Sequence, residues 1–332
     1  YTVIPSKPAV ISSGQTENTK AVPVVFLCGY GRSELVDIIF PDSKQVDLAK
    51  GKSSHNPTKS DYLFKGTGSN KKCPSKFPGK IVNINAEPDA NHKKMAADTF
   101  YLGPGSKGPR KMQFYCVQTA AAMILQKLGP TKFKDALFSR PTHETPKFLE
   151  YTSSNCAGPG AAKREKAFNQ IVDYFKPLSP TASGKCYGSH PELRYKKPYT
   201  GWINDVKPSE YRFSLCMDRG HYKGYVTEKI LLAFLRGTIP IWHGSEEVFN
   251  MFNKNAFVWY DVDAPELALQ QIAYLEKNRS AWKEMRARPI LAPGAAQTYF
   301  SFTDAIGGGQ LLEKLKVLLR SSYAKETSQR SS

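Results

Sequence analysis

Residues 211–261 read YRFSLCMDRGHYKGYVTEKILLAFLRGTIPIWHGSEEVFNMFNKNAFVWYD, and their pattern decides the fold class. Residues 211–216 are an apolar run of strand length, and residues 218–224 form a polar segment that contains glycine. Residues 238–242 are a second apolar run, in which Pro240 favours the end or the edge of a strand. Two strands are therefore predicted, with a loop and further structure between them.

A helix is predicted between these two strands. Its apolar face is marked by four residues at helical spacing, namely Ile230, Ala233, Phe234 and Gly237. Thr227 is suited to cap this helix, Glu228 suits its positive first turn, and Gly237 ends it. Strand, loop, helix and strand together predict a βαβ unit.

The junction between the loop and this helix is a candidate phosphate site. Backbone N–H groups at a helix N-terminus face the carboxyl ends of the strands and attract anions. Lys229, near the start of the helix, adds a full positive charge. From the pattern alone, a solvated helix start is the more ordinary interpretation of Glu228 and Lys229.

Three segments of the chain together resemble a known family. Tyr225-Val226-Thr227-Glu228-Lys229 is followed by Ala233-Phe234-Leu235, Gly237-Thr238 and Pro240. Ser153-Ser154-Asn155-Cys156 is followed by Arg164-Glu165 and Gly184-Lys185-Cys186-Tyr187-Gly188, and Asn85-Ala86-Glu87-Pro88 lies upstream. These segments resemble, in the same order, the donor-binding motif, the Ser-Asn-Cys…Gly-Lys-Cys segment and the Glu-Ser-Pro motif of the α1,3-fucosyltransferases, glycosyltransferase family 10.

The resemblance implies an α/β fold of the GT-B type, with two Rossmann-like domains facing across a cleft. It also implies an inverting transfer of fucose from GDP-fucose to a hydroxyl of a glycan or glycoprotein acceptor. In that family the position of Glu87 takes the proton from the acceptor hydroxyl, so Glu87 is the expected general base. The implied donor-binding residues are Asn155, Arg164, Arg219, Tyr225, Thr227, Glu228 and Lys229.

The resemblance also assigns roles within this set. Asn155 and Arg164 are expected to bind the donor diphosphate or ribose, and Tyr225 and Glu228 the sugar or ribose. Lys229 and the helix N-terminus at Thr227 are expected to stabilise the leaving diphosphate. Without the resemblance, an exposed helix cation is the preferred interpretation of Arg164. A turn residue is likewise the preferred interpretation of Glu87, at the end of a predicted strand.

No metal cofactor is expected to be required, although stimulation by Mn²⁺ or Mg²⁺ is compatible with the resemblance. Asp261-Val262-Asp263 spells D-x-D, a metal–nucleotide motif of a different transferase architecture. There the motif follows an early nucleotide-binding half, whereas here it lies late in the chain. We therefore interpret it as structural.

The loop before the helix departs from the family pattern. When residues 225–229 are aligned, Asp218 takes the place of the family's Glu, Arg219-Gly220 that of Asn-Ser, and Gly224 that of an Asp. Arg219 is large and cationic where a small amide is expected, and it could contact the diphosphate or a different donor sugar. Another GT-B enzyme with a different nucleotide sugar, for instance exostosin-like, therefore stays open as an alternative.

The order of predicted elements divides the chain into two domains. Strands are predicted at residues 22–28, 60–64, 80–85, 148–152 and 256–260, and helices at residues 113–127, 162–175, 265–286 and 311–319. The proline-containing residues 130–150 are the predicted linker. The expected division is residues 1–20, a tail or stem; 21–145, an acceptor-binding Rossmann-like domain; 146–320, a nucleotide-sugar-binding Rossmann-like domain; and 321–332, a tail.

The chain has the composition of a folded protein with a basic charge balance. Its 332 residues are 40% hydrophobic, and 47 Lys and Arg against 29 Asp and Glu give a net charge of +18. Such a charge suits polyanions, anionic membranes or phosphorylated substrates without choosing among them. A non-enzymatic polyanion- or nucleic-acid-binding protein is therefore a further alternative. The basic, tyrosine-containing residues 193–199 are better explained as a solvated loop, so no nucleic-acid partner is expected.

Cysteines and apolar runs limit the cellular location only loosely. The six cysteines contain no C-x-x-C pair, so their spacing does not indicate zinc; disulfides and small buried hydrophobes are equal alternatives. No apolar run approaches the roughly 18 residues of a membrane helix, so membrane contact is expected only through an anchor missing from the N-terminus. With the sequon Asn278-Arg279-Ser280, the expected location is the Golgi or secretory lumen if the source is eukaryotic.

Overall fold

Two parallel β-sheets, each accompanied by helices, make up the chain in the computed structural model. The residues that the structure describes are 23–28, 33–48, 54–66, 73–74, 76–85, 87, 99–106, 108–158, 160–194 and 206–320. The predicted tails at residues 1–20 and 321–332, and most of the basic run at residues 193–199, lie outside them.

The amino-terminal sheet has six strands. They are β1 (Val24–Cys28), β2 (Lys44–Asp47), β3 (Tyr62–Gly66), β4 (Lys80–Ile84), β5 (Thr99–Gly103) and β6 (Lys111–Gln113), in the order β2-β1-β3-β4-β5-β6. The accompanying helices are α1 (Ser33–Ile39), α2 (Cys116–Leu128) and α3 (Pro130–Phe138). Every residue of β1 is buried, as expected for a parallel strand covered on both faces. The strands predicted at residues 22–28, 60–64 and 80–85 are confirmed as β1, β3 and β4.

The carboxyl-terminal sheet has five strands. They are β7 (Lys147–Ser153), β8 (Thr181–Gly184), β9 (Tyr211–Met217), β10 (Ile239–His243) and β11 (Val258–Trp259), in the order β11-β10-β9-β7-β8. The accompanying helices are α4 (Ala161–Tyr174), α5 (Glu228–Leu235), α6 (Glu266–Lys277) and α7 (Arg279–Ala287). Strands β9 and β10 pair in parallel with α5 between them in the chain, which confirms the predicted βαβ unit.

Two predicted segments differ from the structure in their local geometry. The linker predicted at residues 130–150 begins with α3, because Pro130 occupies the first turn, where its missing N–H is not needed. The helix predicted at residues 265–286 is divided into α6 and α7 at Asn278. The side chain of Asn278 caps α7 by accepting the N–H of Ala281 at 3.0 Å.

The last helix of the described chain, α8 (Gln310–Arg320), returns to the amino-terminal layer. It packs against α1, and the carbonyl of Leu319 accepts hydrogen bonds from the hydroxyl of Tyr62 at 3.3 Å and from Nζ of Lys80 at 2.7 Å. The sequence analysis had included this helix in the domain at residues 146–320. An amphipathic pattern shows that a helix buries one face, but it does not show which sheet supplies the partner.

The two layers share a core and a backbone hydrogen bond. Helix α2 of the first layer packs against α5 of the second, and Val117 and Ile230 belong to one continuous buried cluster. The backbone N–H of Val117 donates to the carbonyl of Val226 at 2.9 Å. This contact sets the start of α2 beside the start of α5, which positions the site described below.

The structure settles the state of the six cysteines. Cys28 bonds to Cys73 and Cys156 to Cys186, whereas Cys116 and Cys216 are free thiols. The sequence had left disulfides and small buried side chains as equal alternatives, and both occur. Within the described residues, no helix combines the length and the apolar character needed to cross a membrane.

Candidate active site

A buried carboxylate holds the base of the donor loop, which we define as residues 218–224 between β9 and α5. Asp218 is 1% exposed, and its carboxylate accepts the hydroxyl of Thr227 and the backbone N–H of Thr227, the latter at 3.2 Å. Nζ of Lys229 lies 3.7 Å from the same carboxylate. These contacts join the first residue of the loop to the first turn of α5.

Charges at this helix start are strongly perturbed. Burial raises the pKa of Asp218 to about 7, against the opposing effect of Lys229. Burial by itself would lower the pKa of Lys229, but the carboxylates of Glu228 and Asp218 outweigh it and hold that pKa above its ordinary value. Lys229 therefore stays fully charged, whereas Asp218 binds a proton more readily than an ordinary aspartate. The negative charge that opposes Lys229 is thereby reduced, which favours an anionic ligand.

Thr227 occupies the N-cap position of α5, as predicted, but its side chain does not cap the helix. The hydroxyl donates to Asp218 and accepts from Nζ of Lys229 at 3.2 Å instead. The predicted capping bond is therefore wrong: capping needs the hydroxyl oxygen as acceptor, and here that oxygen accepts from Lys229 while its proton is directed to Asp218. The helix N-terminus is left without a side-chain acceptor of its own, which suits the binding of an external anion.

Glu87 reaches this loop from the other domain. Its Oε2 lies 3.4 Å from Nη1 of Arg219 and 3.5 Å from the hydroxyl of Tyr225. The backbone N–H of Glu87 donates to the side chain of Asn85 at 3.0 Å, an Asx turn just beyond the end of β4. The side chain of Glu87 is 42% exposed, so a carboxylate at the edge of one sheet faces the loop at the edge of the other.

Arg164 lies in the first turn of α4. It is only 8% exposed, and its Nη2 donates to the backbone carbonyl of Asn155 at 3.2 Å. Its Nε is buried without a hydrogen-bond partner among the described residues. Arg164 is therefore not the exposed helix cation that its sequence context alone favours. The side chain of Asn155 is exposed, and it is the backbone of this residue that contacts Arg164.

The starts of α4 and α5 border one region beneath the donor loop. A Cβ atom on Gly160, the residue before α4, would lie 2.4 Å from the carbonyl oxygen of Arg219, so the loop passes directly over this helix start. Burial raises the pKa of the Tyr151 phenol to about 12, and the charges of Arg164 and Lys229 both act to lower it. The two cations thus influence the same buried hydroxyl, as residues sharing one anion site would.

Gly224 explains one departure from the family pattern. It has a φ of 78°, and a Cβ atom there would lie 2.9 Å from Cα of Pro104 in the first domain. Its N–H donates to Glu247 at 2.5 Å. Where the resembled family has an aspartate, the close approach of the two domains in this chain leaves room only for glycine.

Sequence reasoning missed three residues that shape this site. Asp218 had a signal, since it is an acid directly after a buried strand, but it was assigned no role. The thiol of Cys116 donates a hydrogen bond to Glu228, 112 residues away in the sequence. Glu247 accepts the backbone N–H of Gly224, 23 residues away. Neither contact had a sequence signal, because each depends on how separate elements pack.

The carboxylates of the D-x-D sequence lie among lysines. Asp263 pairs with Lys163 at 3.2 Å and with Lys166 at 3.0 Å, both on α4. Asp261 accepts the backbone N–H of Asp263 at 2.9 Å. These contacts fit the structural interpretation of the sequence and give the D-x-D residues a role in joining α4 to the segment after β11.

Comparison with protein families identifies the carboxyl-terminal half. Residues 143–286 match the family model described as "Glycosyltransferase family 10 (fucosyltransferase) C-term". An "Alpha-(1,3)-fucosyltransferase FucT" from Helicobacter pylori is 40% identical over 154 residues. That match spans 46% of this chain and 30% of the relative, so the chain covers under a third of that relative's length. The resemblance found in the sequence is thereby confirmed.

Solved structures resemble both domains. A crystal structure of an α1,3-fucosyltransferase with GDP-fucose covers 92% of this chain and 93% of its own at a TM-score of 0.57 and 15% identity. A second α1,3-fucosyltransferase structure covers 91% and 92% at a TM-score of 0.59 and 19% identity. At such identities the likeness concerns the fold, and it confirms the predicted GT-B arrangement of two Rossmann-like domains.

Proposed function

We propose that the chain is a fucosyltransferase that uses GDP-fucose and inverts the anomeric centre, since residues 143–286 match the family 10 fucosyltransferase model. The acceptor is a hydroxyl of a glycan or glycoprotein. One observation carries the proposal: Glu87 of the first domain meets Arg219 and Tyr225 of the second, 3.4 Å and 3.5 Å away. A candidate base and a candidate donor site thus face each other.

In the proposed reaction, Glu87 acts on the acceptor. Its carboxylate takes the proton of the acceptor hydroxyl as that oxygen attacks the anomeric carbon of fucose. The bond from this carbon to the phosphate oxygen breaks, its electron pair leaves with GDP, and attack from the opposite face inverts the configuration. The partial exposure of Glu87 fits this role, because a general base must reach an incoming hydroxyl.

The second domain would stabilise the departing diphosphate. Negative charge grows on the phosphate oxygen as the bond breaks, and fixed positive charge nearby lowers the barrier. Lys229, Arg164 and the N-terminus of α5 supply this charge in the proposal. The raised pKa of Asp218 supports it, because a protonated Asp218 does not offset the charge of Lys229. Tyr225 and Glu228 hold the sugar or ribose in this proposal. The backbone carbonyl of Asn155 accepts a hydrogen bond from Arg164 and so helps to orient this guanidinium toward the diphosphate.

The location of the protein is also a proposal. Disulfides persist mainly in oxidising compartments, and the pairs Cys28–Cys73 and Cys156–Cys186 fit such a compartment. We propose the lumen of the secretory pathway, the Golgi if the source is eukaryotic, with protein glycosylation as the context.

Transfer assays with a panel of GDP-sugars and UDP-sugars test the proposed function. We expect wild-type protein to transfer sugar from GDP-fucose and to show little turnover with other GDP-sugars or with UDP-sugars. We also expect Arg219→Asn, which restores the amide of the family, to use GDP-fucose with a modest change in apparent affinity. Thermal unfolding with each nucleotide gives an independent readout, since a specific ligand raises stability by mass action.

The panel separates the alternatives. The cationic side chain of Arg219, where the family has an amide, favours a different nucleotide sugar. A clear preference for a UDP-sugar would contradict GDP-fucose as the donor but would keep the proposal of a two-domain transferase. A polyanion-binding protein would ignore free GDP and bind nucleic acid with steep salt dependence. That result would overturn the enzymatic proposal.

Chelation tests the proposed independence from metal. Lys229 and Arg164 are fixed cations at the candidate diphosphate site, so we expect activity to survive excess EDTA, with partial loss at most. Added Mn²⁺ or Mg²⁺ is expected to stimulate weakly or not at all. Complete inactivation by EDTA that either metal reverses would instead indicate a metal-bridged diphosphate.

A further inference from the structure

A thiol from the first domain touches a carboxylate of the candidate donor site. Cys116 is the first residue of α2, and its Sγ lies 3.3 Å from Oε2 of Glu228 in α5. One residue further on, the N–H of Val117 donates to the carbonyl of Val226 at 2.9 Å. The contact is therefore part of an ordered junction between the domains, with its register set by the backbone.

The thiol acts as the hydrogen-bond donor in this contact. Burial raises the pKa of Cys116, and the nearby charge of Glu228 raises it further, while Lys229 opposes them. The thiol is therefore protonated at neutral pH and donates its proton to the carboxylate. For the same reason it is a poor nucleophile, which argues against a covalent role.

Glu228 is held from two sides. Its Oε2 faces Cys116 of the first domain, and its Oε1 lies 3.4 Å from Nζ of Lys229 in its own helix. The side chain of Glu228 is only 12% exposed. A carboxylate fixed in this way keeps a defined orientation, and a fixed orientation reduces the entropy lost when a ligand binds.

We propose that Cys116 is a positioning residue for the donor nucleotide, in that its thiol orients Glu228 from across the domain junction. The inference rests on the proposed function, in which Glu228 holds the ribose or sugar of the donor. Donor affinity then depends on a residue of the acceptor-binding domain. Removing the thiol should weaken donor binding without slowing the chemical step.

A double-mutant cycle on GDP affinity tests this role. We expect Cys116→Ala to raise the Kd for GDP about 3- to 10-fold, in the range of a lost hydrogen bond to a charged group. The KM for GDP-fucose should rise in parallel, while kcat at saturating donor stays within about twofold. Cys116→Ser, which keeps a donor, should restore most of the affinity. In the Glu228→Ala background, which has no acceptor for the thiol, adding Cys116→Ala should change the Kd less than about twofold.

Controls separate positioning from general damage. Cys216→Ala removes the other free thiol, whose Sγ contacts the backbone carbonyls of Ser214 and Lys229, and should leave the Kd for GDP within about twofold. Thermal unfolding of each variant checks the fold. Two results would overturn the role of Cys116: a Cys116→Ser variant that binds GDP as weakly as Cys116→Ala, or a loss of affinity on Cys116→Ala that is as large in the Glu228→Ala background as in the wild type.

The same measurements distinguish this inference from the proposed function. A wild type that binds GDP but transfers no fucose overturns only the donor sugar, because the cycle is read from GDP affinity. A wild type that binds no guanine nucleotide overturns both. A fall in kcat without a change in Kd would place Cys116 in the chemical step instead.

Discussion

Replacing Glu87 by glutamine is expected to reduce turnover about 100-fold or more while GDP binds with nearly unchanged affinity. The substitution keeps the size of the side chain and an oxygen that can accept from Arg219 and Tyr225, which lie 3.4 Å and 3.5 Å from Oε2. It removes the group that takes the acceptor proton. Steady-state turnover with GDP-fucose and calorimetric titration of GDP measure the two effects separately.

The matched control for this experiment is Glu313→Gln, the same chemical change at an exposed position on α8. It should leave both turnover and GDP affinity unchanged. Near-normal turnover in Glu87→Gln would remove Glu87 as the base. An equal loss of GDP binding would make it a residue that supports the donor loop.

Replacing Lys229 by alanine is expected to weaken GDP binding about 10- to 100-fold, the range for a charge-assisted hydrogen bond to phosphate. Lys229 contacts Thr227 at 3.2 Å and lies 3.7 Å from the buried Asp218. The substitution therefore removes positive charge from the site and also leaves Asp218 without its cation. Calorimetric titration of GDP at fixed salt gives the affinity.

A second substitution separates these two effects. Asp218→Asn in the Lys229→Ala background removes the stranded carboxylate while keeping an oxygen for the N–H of Thr227. If the loss of GDP affinity persists in the double variant, Lys229 contacts the diphosphate; if affinity returns, its role is to neutralise Asp218. Lys223→Ala, an equal charge change at an exposed position of the donor loop, should have little effect. Unchanged GDP affinity in Lys229→Ala would contradict the predicted contact.

Central elements of the fold could be predicted because their signal is local. Strands β1 and β10 are buried at every residue, and a parallel strand covered on both faces must be a continuous apolar run. Helix α5 was predicted from its apolar spacing and from the residues at its ends. Strands β2 and β6, which end the first sheet, are partly exposed and short, so they carry no comparable pattern.

Part of the candidate site could also be predicted, since motifs are contiguous in sequence. The resemblance predicts that Glu87, Arg164 and Lys229 share one site, and the structure brings Glu87 to Arg219 and Tyr225 of the second domain. The hydrogen bond predicted for Thr227 was wrong, because its hydroxyl oxygen accepts from Lys229 and its proton goes to Asp218, nine residues earlier in the chain. A propensity rule describes a helix end in solvent, whereas here buried charged groups take up the hydroxyl.

The sequence by itself determined the fold class, the family resemblance and the residues of each motif, because these depend on local apolar periodicity and on contiguous residue identities. Only the tertiary structure decided the pairing of Glu87 with Arg219, the contact of Cys116 with Glu228 and the need for glycine at position 224. Each of these joins the two domains. Such contacts depend on how the two sheets are oriented, and residue order along one chain does not encode that orientation as a local pattern.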